Sequence, residues 1–170
     1  YAAVMIITKD NKILMNLISS RGGFNQGRLS FGFEEQSEVE DISPVDTAKR
    51  GLMEEYGFDV DDDKMRILGF GKPFTMPFVS AYCVVETDVS STEAAGRREQ
   101  AVDRGESVCT LAVPFEDVDK FLLDQVPTEL ISPYVILGST NNVVGCSSHV
   151  ANLPRWNLTK KFYESKRGIN

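Results

Sequence analysis

Between residues 43 and 57 the chain spells out both ends of a helix, SPVDTAKRGLMEEYG. Ser43 is placed as the N-cap, where its hydroxyl can accept from a free N–H of the first turn, and Pro44 follows where a missing N–H costs nothing. Gly57 closes the other end, because glycine takes the left-handed C-terminal conformation without penalty. Within those limits Val45, Ala48 and Leu52 fall on one face at helical spacing. A helix from about Pro44 to Tyr56 with such a face must dock on an apolar layer, and a sheet is the expected one.

The flanking segments supply that sheet. AVMIIT (3–8), the polar turn DNK and ILMNLI (13–18) read as a β-hairpin. After the glycine-rich loop SRGGFNQG (20–27), LSFGF (29–33) reads as one short strand. MRILGFG (65–71), FVSAYCVVE (78–86) and VCTLAVP (108–114) read as further strands. Residues 87–107 are polar, a loop with a helical piece, and FEDVDKFLL (115–123) reads as a helix. ELISPYVIL (129–137) fits either a helix or a strand, and a basic amphipathic helix is expected from about Leu158. The expected fold class is α/β, an α/β/α sandwich on a mixed sheet, with residues 1–153 as one domain and 154–170 as a basic helix docked on it.

Composition narrows the function. A chain of 170 residues, 42% hydrophobic and 25% charged, has the balance of a single soluble domain with a proper core. No apolar run approaches the length of a membrane span. Opening on Tyr1 rather than methionine, the sequence is expected to lack an N-terminal piece that would have carried any targeting signal. Cys83, Cys109 and Cys146 match neither a disulfide framework nor a zinc spacing, so an intracellular reducing compartment, cytoplasm or organelle matrix, is expected. Residues 155–170 carry a net +4 and the remainder −11. So acidic a body does not attract nucleic acid by charge alone, but it suits divalent cations that meet substrate phosphates.

Gly51 sits inside the capped helix, where glycine costs about 1 kcal/mol relative to alanine. It needs a packing reason, a functional reason, or a lost side chain to explain it. Beside it Arg50 and Glu54 are i,i+4 neighbours, so the guanidinium can hold that carboxylate, and Glu55 lies about 100° further round. Carboxylates converging with no lysine nearby repel unless a cation sits between them, and hard oxygen donors suit Mg²⁺. On these residues alone a solvated acidic helix end is an equal reading.

Gly32, Glu38, Arg50, Leu52, Glu54, Glu55, Gly57 and Phe58 together resemble the Nudix box, G-x5-E-x7-R-E-U-x-E-E-x-G-U with U apolar, the signature of hydrolases of nucleoside diphosphates linked to another group. The box spans residues 32–58, and the order of strands and helix around it is similar to the family's over most of the chain. Two positions depart from the pattern. Glu38 and Arg50 are separated by eleven residues rather than seven, extra length that falls in a loop, where closure entropy rises slowly. Gly51 stands where the family has a glutamate that commonly binds metal, so it resembles a lost ligand.

The resemblance implies a Nudix-like sandwich and a pyrophosphohydrolase dependent on Mg²⁺ or Mn²⁺. Glu35, Glu38, Glu54 and Glu55 would hold the ions, with Arg50 holding Glu54. Glu106 looks like the further glutamate that many members place before a later strand, with Glu93 and Glu99 as alternatives. The implied substrate is a nucleotide, an ADP-ribose-like compound, a dinucleotide or an RNA 5′ end. A rival reading is a Nudix-like module that lost turnover with Gly51 and binds nucleotide or RNA within a complex.

Around the box, Arg21 and Arg28 flank the glycine-rich loop and can meet phosphates, although solvated loop arginines are as frequent. Arg97, Arg98 and Arg104 lie beside Glu106 in sequence. Gly32 allows close approach of a substrate, and Phe74 and Phe78 bracket a loop from which an aromatic can stack on a base, with core packing the commoner role. His149, the single histidine, has no ligand partner at useful spacing and reads as structural. Trp156, Phe162 and Tyr163 interleave with the basic residues of the tail. That pattern fits RNA contact or a protein partner, and it fits better a helix docked by its aromatics.

Overall fold

The computed structural model describes residues 1–21, 26–27, 29–71, 78–121 and 148–168, with 148–155 described by their backbone alone. Among the described residues seven strands form one mixed sheet in the order β3-β2-β1-β6-β5, with β4 paired to β1 and β7 to β2. They are β1 (Ala2–Ile7), β2 (Lys12–Ile18), β3 (Leu29–Phe31), β4 (Phe33–Glu35), β5 (Met65–Gly71), β6 (Ser80–Glu86) and β7 (Ser107–Pro114). The helices are α1 (Pro44–Tyr56), α2 (Ser91–Arg98), the single turn α3 (Val118–Lys120) and α4 (Ser148–Lys166).

β1 lies at the centre and is buried along its whole length. Its alternate side chains feed two cores. Val4 and Ile6 pack with Ala48, Leu52 and Tyr56 of α1. Met5 and Ile7 face the opposite layer, where Trp156 and Tyr163 of α4 are buried with Val113 and Val118. Helices on both faces of a mixed sheet make the α/β/α sandwich.

The β1–β2 hairpin does not stay closed. The two strands pair only near their turn, at Ile7 and Ile13. Beyond that point β3 pairs antiparallel with β2 and β4 pairs antiparallel with β1. The segment expected as one strand is therefore two strands meeting in a V inside the splayed hairpin. Gly32 is its apex, and this is a position only glycine can hold: φ is +48°, and a Cβ would stand 2.1 Å from the Val4 carbonyl oxygen. Its N–H donates to the Leu14 carbonyl at 2.9 Å.

Helix α1 has the expected limits. Ser43 Oγ accepts from the Asp46 N–H, and Gly57 ends the helix at φ 67° with its N–H on the Met53 carbonyl. Other boundaries differ from the sequence reading. Residues 115–117 form a 3₁₀ turn leading into α3, and the terminal helix starts at Ser148, not near Leu158. ELISPYVIL and Cys146 lie outside the described residues. Cys83 is buried and Cys109 exposed, both unbridged. Among the described residues no helix is long and apolar enough to cross a membrane.

Candidate functional site

The V of β3 and β4 opens onto a cavity of about 290 Å³. Asn16, Ser30, Gly32, Phe33 and Glu35 line it from the strands, Glu55 from the end of α1, and Arg98 from α2. Asp103, Glu106 and Ser107 line it from the turn before β7, which is tied to the sheet by the Ser19 N–H on the Glu106 carbonyl at 2.8 Å. Tyr1 and Phe78 complete the wall as a stacked pair, with ring centroids 4.0 Å apart. Buried Asn16 fixes one edge, donating from Nδ2 to the Gly32 carbonyl at 2.7 Å and to the Tyr56 hydroxyl at 2.9 Å.

The acidic side chains of the sequence motif divide into two groups on either side of α1. Around Arg50 gather Glu35, Glu38, Asp41 and Glu54. Nη1 lies 3.1 Å from Glu35, 3.6 Å from Glu38 and 3.3 Å from Glu54, and Nη2 lies 3.0 Å from Asp41. Nη2 also donates to the Gln36 carbonyl at 2.5 Å. Arg50 therefore holds the whole returning loop and not Glu54 alone. Asp41 meets the guanidinium through both carboxylate oxygens, and its carboxyl is held down to about 2 mainly by the Arg50 hydrogen bond. No motif slot marks Asp41; its nearness to the Ser43 cap was the available signal.

Glu55 turns away from this group. It is buried and ion-paired with Arg98, itself buried at the end of α2. Burial pushes Glu55 up to about 7 against the pull of Arg98, with Glu106 and Asp103 adding repulsion. Glu106 is raised by burial and by Asp103. Glu35, in the Arg50 group but on the cavity wall, is raised by burial despite Arg50.

Whether these groups suit a divalent cation follows from where their oxygens stand. Glu35, Glu38, Glu54 and Glu55 do not converge: the first three share a guanidinium, and the fourth has another. Among the described residues no three Asp, Glu, His or Cys side chains are placed to hold one metal ion. The carboxylates meet cations that the chain itself provides, so as arranged the expected ligand set does not fit a metal.

Gly51 receives a different explanation from the one the motif suggested. It faces β4, and a Cβ there would stand 2.5 Å from Cε2 of Phe33 and 2.9 Å from Cβ of Glu35. The glycine has a packing reason: α1 and β4 approach too closely for any side chain between them.

Of the remaining candidates, Gly32 lines the cavity. Arg21 is exposed beside Gly105, at the turn that carries Glu106. Glu93 is paired on the surface with Arg97 at 2.7 Å. Arg28 and Phe74 lie outside the described residues, as does the His149 side chain. The sequence marked Arg98, with Arg97 and Arg104, only as an arginine beside Glu106 and not as the partner of Glu55, since that contact joins residues far apart in the chain.

No family model matches the sequence, and no curated protein matches it. Solved structures do match. The NUDIX domain of Shewanella oneidensis NrtR in complex with ADP-ribose superposes with a TM-score of 0.52 at 13% identity, covering 94% of this chain and 86% of that one. This chain has a Nudix-like fold. NrtR of the same organism in complex with a 27mer DNA gives 0.50 at 14% identity, covering 94% of this chain and 62% of that one, so the Nudix-like chain spans under two thirds of it.

Proposed function

We propose that this chain is a nucleotide-binding Nudix-like module that takes a nucleoside diphosphate-type ligand into its cavity without hydrolysing it. The observation that carries the reading is the packing at Gly51. The slot that holds a glutamate in the Nudix box is closed by Phe33 and Glu35, so no carboxylate can stand there. The rings of Tyr1 and Phe78 offer an aromatic wall to a base. Carboxylate oxygens in the cavity can accept from sugar hydroxyls. The similar NrtR domain is bound to ADP-ribose, which makes it the first compound to test.

The second reading is Mg²⁺- or Mn²⁺-dependent pyrophosphate hydrolysis, and one observation favours it. Glu34, Glu35, Glu55, Asp103 and Glu106 line the cavity, and Arg98 is the one arginine or lysine among its described lining residues, a surplus of negative charge that a metal–nucleotide complex would offset. Calorimetry with ADP-ribose, with and without Mn²⁺, run beside chromatography for released AMP, separates the two. Metal-independent binding with no AMP is expected. AMP release that needs Mn²⁺ and is lost in Glu55→Gln would establish hydrolysis instead.

A further inference from the structure

Arg98 is held at the cavity from several sides. Nη1 donates to the Glu55 carboxylate and, at 2.8 Å, to the Glu55 backbone carbonyl. Nη2 donates to Ser107 Oγ at 2.6 Å, and the guanidinium lies 5.0 Å from the centroid of the Tyr56 ring. Glu55 belongs to the last turn of α1, whose carbonyls lack partners within the helix. The arginine is thus anchored to backbone and to β7, and cannot leave by a simple rotation of the Glu55 side chain. Both residues are 5% exposed, so separating them would strand a buried charge.

A hard divalent ion entering this cavity would need several carboxylate oxygens converging on it. Glu55 shares the cavity wall with Asp103 and Glu106, and both repel its charge. The guanidinium already stands on Glu55. We infer that Arg98 is the resident cation of this site: it takes the place beside Glu55 that a divalent ion would occupy, and so bars the cavity to such ions. The inference shares only the cavity with the nucleotide-binding reading. Its test uses no nucleotide, so either can fail while the other stands.

The test is a titration of the full chain with Mn²⁺, the free ion being followed by electron paramagnetic resonance. Wild type and Glu106→Gln are expected to bind Mn²⁺ equally weakly. Arg98→Ala is expected to bind it tighter by about tenfold or more, on the scale of losing a group that controls a metal site, and adding Glu106→Gln should abolish the gain. A wild-type affinity that falls in Glu106→Gln overturns the inference, as does a folded Arg98→Ala with wild-type affinity. Arg98→Gln, which keeps hydrogen bonding without charge, serves as a second neutral variant with the same expected gain. Should neither fold, the comparison of wild type with Glu106→Gln decides alone: equal affinities support the resident cation and a drop refutes it.

Discussion

Replacing Gly51 by alanine sets two effects of opposite sign against each other. In a helix interior alanine is favoured over glycine by about 1 kcal/mol, so propensity alone predicts a stabler protein. The added methyl, however, would stand 2.5 Å from Cε2 of Phe33 and 2.9 Å from Cβ of Glu35. Neither can yield cheaply: the Phe33 ring is buried in the core below α1, and the Glu35 Cβ is tied to the β4 backbone. Overpacking of this kind costs about 1–3 kcal/mol, and contacts this short belong at the upper end. The net expectation is destabilisation by about 1–2 kcal/mol, or a Tm lower by about 2–8 °C for a chain of this size. Gly96, in α2, has nothing within 4 Å of a Cβ. Gly96→Ala should therefore stabilise by about 0.4–1 kcal/mol. Urea unfolding of both variants beside the wild type measures the pair. A Gly51→Ala protein as stable as Gly96→Ala would refute the packing account and return Gly51 to the status of a ligand lost without structural consequence.

Two more predictions concern charge. Burial raises the Glu55 carboxyl from near 4.5 in the unfolded chain to about 7 in the folded one, against the pull of Arg98, so this contribution to stability is full below the lower value and lost as pH rises through the upper. Urea unfolding at several pH values should show a shallower decline toward neutral pH in Glu55→Gln than in wild type, and parallel profiles would remove Glu55 as its source. In the tail, Lys160 lies 2.5 Å from Asp119 and Lys166 2.6 Å from Glu86, while Arg167 covers the Tyr163 ring. Neutralising Lys160, Lys161, Lys166 and Arg167 together should leave the salt dependence of any RNA binding unchanged, whereas a shallower slope would show that the tail neutralises RNA phosphates.

Helix α1 was legible because its limits are set by local chemistry: Ser43, Pro44 and Gly57 act within one turn of themselves. The continuous apolar run of β1 followed from pattern, whereas Arg50, expected to hold Glu54, also takes Glu35 and Asp41. What stayed hidden depended on distance. LSFGF has the composition of a single strand, and nothing local says that Gly32 must pass beneath the Val4 carbonyl. The meaning of Gly51 lay in Phe33 and Glu35, and the partner of Glu55 lay on α2, so both were settled by layers that meet only after the chain has folded. Helical spacing set Glu54 against Arg50, but nothing in the sequence pointed Glu55 to Arg98.

The central joint of the sheet has a kinetic consequence. β1 meets β6 in parallel, Ala2 opposite Ala81 and Ile7 opposite Glu86, while the remaining pairings are antiparallel: β5 with β6, β1 with β2 and β4, and β2 with β3 and β7. The β5–β6 hairpin and the unit of β1 to β4 can each gather early from neighbours in sequence. Neither acquires a two-sided core until a long intervening segment has been closed into a loop, and that entropy is spent before the parallel contacts return anything. The slow step in folding is therefore expected to be the meeting of β1 with β6, after which the cavity walls, drawn from both units, come into register for the first time.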